Sequence, residues 1–139
     1  MSDLIDLEVI SSTDTGFKTT ISEVYIPAFF GEAGILKNHL PYMSILNCGE
    51  ICYQDESSKK HYLFIREGFI EVLENKVTII SDSLLRGEDL PEKEIENRLI
   101  HLNNQIKSSL KGELDPDELD KVLQEKRELE IQQKIVKKI

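Results

Sequence analysis

The residues of this sequence that could do chemistry are few, and their spacing argues against a catalytic centre. The three histidines, His39, His61 and His101, fall in a turn, at a strand start and on a helix, too scattered to ligate one metal ion. His39, within Lys37-Asn38-His39-Leu40-Pro41, has the setting of a turn histidine that hydrogen-bonds backbone. Cys48 and Cys52 have no second pair to complete a zinc site, and a strand would put them on one face but beyond disulfide reach. They read as buried, reduced core thiols of a cytosol-like compartment. Gly31-Glu32-Ala33-Gly34 offers two glycines, but no Lys-Ser/Thr and no helix follow, so a phosphate cradle is excluded. Asp115, Asp117 and Asp120 do not make a calcium loop: the glycine and the final glutamate are missing, with Lys126 at the latter position. Helix capping accounts for these acids better. No Ser-His-Asp or Cys-His arrangement is present. The expectation is a chain with no catalytic residue, no metal and no cofactor.

Elements that could position any site are set by composition and period. The chain has 139 residues, 26 acidic and 17 basic side chains and a net charge of −9. That charge disfavours broad attraction to nucleic acid or an anionic membrane. No apolar run approaches the roughly 20 residues that span a bilayer, and the opening MSDLIDLEVI resembles no targeting segment. The character of the chain changes near residue 90. Up to Leu90 there are 15 acids and 7 bases; from Pro91 there are 11 acids and 10 bases.

The first part reads as short strands separated by turns. Leu4–Ile10 alternates apolar residues with acids, and Phe17–Ile26 is β-rich and closed by Pro27. Further strands are expected at Met43–Leu46, Ile51–Gln54, Tyr62–Ile65, Phe69–Leu73 and Val77–Ile80, with a tight turn at Asn75 and Lys76. Such spacing argues for a sandwich or barrel. The second part reads as two helices. Asp89-Leu90-Pro91-Glu92 signals a capped start, and Ile95, Leu99, Leu102 and Ile106 lay one narrow apolar stripe. Gly112 stops that helix. Asp115-Pro116-Asp117-Glu118 caps a second one, which carries Leu119, Val122, Leu123, Leu129, Ile131, Ile135, Val136 and Ile139. The short connection predicts an antiparallel hairpin, too thin to enclose a core alone. The expected division is a β domain over 1–88 and a helical hairpin over 89–139.

Three blocks carry a family resemblance. Gly31-Glu32-Ala33-Gly34-Ile35 with His39 and Pro41 resembles the GE-x-GI…H-x-P loop of the epsilon subunits of F-type ATP synthases. Gly68-Phe69-Ile70-Glu71-Val72 is similar to their G-(G/F)-x-x-EV strand. Val77-Thr78-Ile79-Ile80-Ser81-Asp82, followed by Arg86-Gly87-Glu88-Asp89-Leu90, resembles their junction between strands and helices. The resemblance covers nearly the whole chain. It implies a ten-strand β-sandwich followed by two helices, placed in the rotating stalk between the gamma subunit and the c-ring. It implies no catalytic residue, a role in coupling proton flow to ATP synthesis, and membrane association only through the complex. The implied location is the cytoplasmic face of a bacterial inner membrane, with the plastid thylakoid as the alternative. Gly31, Glu32, Gly34, Ile35, His39 and Pro41 become candidate contacts with gamma or the c-ring; the same residues would also serve a turn needed only by the fold.

In many bacterial members of that family the hairpin has two states, folded on the sandwich or extended toward the alpha and beta subunits, where it inhibits ATP hydrolysis. Lys121, Lys126, Arg127, Lys134, Lys137 and Lys138 make residues 121–139 net basic, and are candidates for an inhibitory tip that meets an acidic partner. Cations near a helix C-terminus also complement its dipole, so both readings stand. Members that bind ATP carry (I/L)-D-x-x-R-A at the start of the first helix. Here Leu90-Pro91-Glu92-Lys93-Glu94-Ile95 puts an acid where the phosphate-pairing arginine belongs, so no ATP binding of that kind is expected. The alternatives are an adaptor built on the same fold for a different partner, and a small-molecule enzyme, which the missing polar constellation opposes.

Overall fold

The computed structural model describes residues 3–13, 16–112 and 115–139. Nine strands are present among them: β1 Ile5–Ile10, β2 Phe17–Ala28, β3 Gly31–Leu36, β4 Tyr42–Leu46, β5 Gly49–Asp55, β6 Lys60–Ile65, β7 Gly68–Leu73, β8 Lys76–Ile80 and β9 Leu84–Arg86. A 3-10 turn, Gly87–Asp89, leads into α1 Glu92–Ser109 and α2 Pro116–Lys138. The strands pair in the order β1-β8-β7-β4-β2-β5-β6-β9, with β3 beside β2. The twelve-residue β2 joins the two layers: Phe17–Ile21 pairs with β1, Glu23–Ala28 pairs with β3, and β5 pairs with it on both sides of a bulge between Ile21 and Glu23. Ten strands are expected from the family resemblance; nine are seen among the described residues, with β2 running through its bulge as one strand.

Alternation drives each layer inward. In β1, Ile5, Leu7 and Val9 are buried while Asp6 and Ile10 are exposed, and Val77, Ile79, Ile70 and Val72 continue the same inner face. Between the layers these residues join Ile21, Val24, Ile26, Ile35, Leu46, Ile51, Leu63 and Ile65 in one core. A second cluster lies outside it. Phe64 points to the opposite side of β6 from Leu63 and Ile65, and meets Leu90, Ile95, Leu99 and Ile135 of the helical part. Three consecutive buried residues in a strand thus record that both of its faces are covered.

The helices run antiparallel, since Arg98 of α1 pairs with Glu125 of α2, and Glu92 and Ile95 line the same cleft as Gln133, Val136 and Lys137. The Asp115 side chain accepts from the Glu118 amide at 2.8 Å and Pro116 occupies the first helical position, as the sequence pattern predicts. The start of α1 differs. Asp89 belongs to the 3-10 turn, and the residue at the cap is Pro91, which makes no side-chain cap. Buried Leu90 fixes this junction instead, and the Ile95 amide reaches the Pro91 carbonyl at 2.9 Å.

Four further expectations change. β2 does not stop at Pro27, which stays in register opposite Glu32 while its carbonyl accepts from the Asn47 amide at 2.8 Å. Gly31–Leu36 is a strand, not a loop, because pairing with β2 satisfies its backbone whatever its two glycines do to the alternation. The β7–β8 turn lies one residue earlier than expected, at Glu74 and Asn75, whose positive φ values of 49° and 62° suit the twist of the flanking strands. Finally, Cys48 and Cys52 are free but only half-buried, and sit outside the main core on the side that α2 covers.

Candidate partner-binding surfaces

The β2–β3 hairpin presents two ends rather than one contact loop. At its tip Ala28 pairs with Gly31, leaving Phe29 and Phe30 as the turn. Neither phenylalanine has a positive φ; Gly31 takes that strain, at φ 129°. Asn47 Nδ2 donates to the carbonyls of Ala28 at 3.0 Å and Phe29 at 3.3 Å, and the Phe29 amide donates to Ser44 Oγ at 3.2 Å. The turn is braced from β4 and the rings stand out, Phe30 at 96% exposure, edge to face with Phe29. Gly34 is glycine for another reason: a Cβ there would lie 2.7 Å from the Tyr25 ring packed over it.

The far end of β3 turns at Lys37 and Asn38. The His39 amide donates to the Leu36 carbonyl at 3.1 Å and Asn38 has φ 66°, a type II pattern in which Lys-Asn replaces the Pro-Gly that such turns favour. The Asn38 amide donates to Asn75 Oδ1 at 2.7 Å, so this turn and the β7–β8 turn brace each other. His39 Nδ1 donates to the Leu40 carbonyl at 2.7 Å, and its ring meets Tyr42 edge-on.

Among the candidate contact residues, Gly31 and Glu32 are exposed at one end and Pro41 at the other, with His39 half-buried beside it. Five residue steps of strand, about 17 Å, separate the ends. Ile35 is fully buried and faces the core, so it supports the surface from beneath.

An apolar row, exposed except at half-buried Phe69, crosses the outer face of β1, β8, β7 and β4. Register aligns Ile10 with Ile80, Ile80 with Phe69, and Phe69 with Ile45, over about 15 Å of sheet. Ile45 is 59% exposed and Met43, two residues back on the same face, 62%. Phe29 and Phe30 stand at the β4 end of the row. Near its other end Glu8 takes Lys76 at 3.1 Å and Lys18 at 3.6 Å, and the first of these does most to hold its carboxyl below the usual range. Sequence reasoning missed this row. Pairing register brings its members together, and only the alternation in Tyr42-Met43-Ser44-Ile45 hints at it.

The opposite side of the sandwich carries the hairpin. Glu50 pairs across with Phe64, and Cys52 with Tyr62, forming the face beneath α2. The residues of α2 buried there are Glu128, Gln132 and Ile135, two polar and one apolar. Glu128 takes Arg66 Nε at 3.0 Å, and Lys138 Nζ donates to Glu50 at 2.8 and 3.0 Å. Burial pushes both cysteine thiols up, Cys48 beside Glu128 and Arg66, Cys52 beside Glu50 and Lys138. The six candidate cations do not form one tip. They spread over about 26 Å of helix. Lys121, Arg127, Lys134 and Lys137 are exposed, Lys126 faces Glu130 at 3.8 Å, and Lys138 is held on the sandwich. Among the described residues no cluster of His, Cys, Asp or Glu could hold a metal ion, and no helix is long and apolar enough to cross a membrane.

The fold is a β-sandwich with a braced hairpin on one side and a helical pair on the other. Residues 4–87 match the family described as ATP synthase, Delta/Epsilon chain, beta-sandwich domain, and the chain belongs to that family, on its epsilon side. It is 37% identical over 90 residues to the ATP synthase epsilon chain of Nitratidesulfovibrio vulgaris (strain DSM 19637 / Miyazaki F), covering 65% of this chain and 66% of that one. It is 36% identical over 90 residues to the epsilon chain of Desulfosudis oleivorans, covering 65% and 68%. The aligned stretch thus spans about two thirds of these relatives. A chain of the Euglena gracilis mitochondrial ATP synthase (OSCP/F1/c-ring) shares the fold, with a TM-score of 0.68 at 18% identity over 99% of this chain and 79% of that one. A chain of the Tetrahymena thermophila mitochondrial ATP synthase (central stalk/c-ring) aligns with a TM-score of 0.51 at 10% identity, over 60% and 67%.

Proposed function

We propose that this chain is a non-catalytic rotor subunit of an F-type ATP synthase, linking gamma to the c-ring and coupling proton transport to ATP synthesis. The observation that carries the reading is the apolar row Ile10–Ile80–Phe69–Ile45. An apolar strip of this breadth on the side away from the hairpin marks a docking face, and gamma is the partner the family supplies. The braced ends of the β2–β3 hairpin, with Gly31, Glu32, His39 and Pro41, are the contacts proposed toward the c-ring. The protein then sits peripherally on the cytoplasmic face of a bacterial inner membrane, held there through the complex.

The hairpin over 89–139 is proposed as the regulatory part, docked on the sandwich or extended toward the alpha and beta subunits with its exposed cations leading. Two of the three fully buried residues of α2, Glu128 and Gln132, are polar, which supports a detachable element. Deleting Pro91–Ile139 is expected to leave assembly and synthesis intact and to raise ATP hydrolysis; unchanged hydrolysis in the reconstituted complex removes the brake from this reading. Docking itself is tested by Ile45→Glu with Ile80→Glu. Both positions are about half exposed, so the fold tolerates the change, and binding to purified gamma should fall by tenfold or more, about 1.4 kcal/mol. Full retention of gamma binding would favour the second reading, an adaptor for a different partner.

A further inference from the structure

We infer that the last turn of α2, Glu50 and Gly87 form a latch, and that the hairpin leaves the sandwich from this end. The inference rests on the detachable hairpin of the preceding section for its biological use, and on the geometry below for its existence. Gly87 lies in the 3-10 turn that connects the sandwich to α1. Its φ is not positive, so glycine is required there by space. A Cβ would sit 2.6 Å from Ile139 Cδ1, 2.8 Å from the Tyr62 carbonyl oxygen and 3.1 Å from Ile135 Cγ2. The end of α2 therefore rests directly on the backbone of the connection about which the hairpin would have to swing. Beside it Lys138 grips both carboxylate oxygens of Glu50, with its Nζ 5.7 Å from the Tyr62 ring centroid.

Among the described residues nothing comparable holds the other end. Residues of α2 from Pro116 to Glu118 are exposed, and the first buried one is Glu128. From there the seat takes in Glu128, Gln132 and Ile135 with Leu129, Ile131 and Val136 packed beside them, so apolar contact lies in the C-terminal half of α2, the half that the latch closes. Opening at Lys138 and Ile139 removes the apolar part of the seat first. Opening at Arg66–Glu128 would have to strand a carboxylate more deeply buried than that of Glu50.

Two native thiols report on this. Cys52 lies beside Glu50 and Lys138, and Cys48 beside Glu128 and Arg66. The experiment is maleimide labelling of the full chain, with rates at the two cysteines separated by mass spectrometry. Lys138→Gln should raise the Cys52 rate about two- to fivefold, as expected for a partly exposed ion pair, with a smaller rise at Cys48. Ile139→Ala, which empties the seat on Gly87 without strain, should act in the same direction. Gly87→Ala should act more strongly, and amide exchange in β7 and β8 checks that the sandwich is intact in that variant. Unchanged Cys52 labelling in both Lys138→Gln and Ile139→Ala overturns the latch. So does a Cys52 rate that rises in Arg66→Gln but not in Lys138→Gln, since opening would then begin in mid-helix. Labelling is read on the free chain, so a latch that responds while ATP hydrolysis in the complex does not would sink the brake and leave the latch standing.

Discussion

Replacing Phe64 by alanine tests whether hairpin and sandwich are separate units of stability. Phe64 is fully buried, yet the residues on either side of it, Leu63 and Ile65, face the sandwich core while it faces Leu90, Ile95, Leu99 and Ile135. Truncating a buried phenylalanine removes about 3–5 kcal/mol, from lost transfer energy and the cavity left behind. Because the lost contacts lie in the satellite cluster, the penalty should fall on docking rather than on the sandwich. At about 1.4 kcal/mol per decade, the lower figure alone raises the population of undocked hairpin about a hundredfold. Native-state hydrogen exchange reads this directly. Amides around Glu128–Lys138 should lose roughly two decades of protection, or all of it if docking is weaker than the loss, while those of β1, β7 and β8 change little. Equal loss across β7, β8 and α2 would refute the reasoning, because the chain would then unfold as one piece and the hairpin could not leave alone.

Other expectations concern single groups. Glu74 holds φ 49° in a tight turn, so Glu74→Gly should stabilise the sandwich by about 0.5–1 kcal/mol, the relief of left-handed strain less the extra unfolded-state freedom, read as a shift in the denaturation midpoint. Asp55 accepts from the His61 ring at 2.8 Å and from the Lys59 and Ser57 amides, and these bonds, His61 first, hold its carboxyl below the ordinary range. A carboxyl lowered on folding contributes stability above its unfolded pKa of about 3.9 and loses it as pH falls through the lower folded value. Wild type should therefore exceed Asp55→Asn in urea titrations at neutral pH, and the difference should vanish in strong acid. Calorimetric titration with Mg-ATP should show no saturable heat, because Glu94 stands exposed where ATP-binding relatives need an arginine; binding at millimolar ATP or tighter would overturn this.

How far the sequence discloses this fold depends on what each signal requires. Ile5, Leu7 and Val9 alternate with polar residues, and Asp115-Pro116 caps a helix locally, so β1 and the start of α2 are legible. Gly31–Leu36 is not, because two glycines erase the alternation and only pairing with β2 makes it a strand. β9 has three residues and no period at all. Burial of Leu63, Phe64 and Ile65 in succession cannot be told from a short run in any core until the hairpin is seen to cover it. The surfaces were harder still. Gly31, Glu32, His39 and Pro41 are marked by residue type, whereas Ile10, Ile80, Phe69 and Ile45 are united only by register, and Glu50 and Lys138 meet across a separation of 88 residues. Basic side chains counted along α2 suggested one tip; in three dimensions Lys138 is engaged on the sandwich and the others are spread along the helix.

The pairing of β1 with β8 also bears on how this chain comes off the ribosome. The two strands lie parallel, Asp6 against Lys76 and Ile10 against Ile80, so β1 must wait for a partner 70 residues behind it. At bacterial or slower rates of synthesis that interval is roughly 4–14 seconds. Throughout it β1 can pair only with Phe17–Ile21, with one edge open. The nascent chain is therefore exposed to strand-to-strand mispairing early, and the acids at Asp6 and Glu8 stand on that waiting strand as its charged guards.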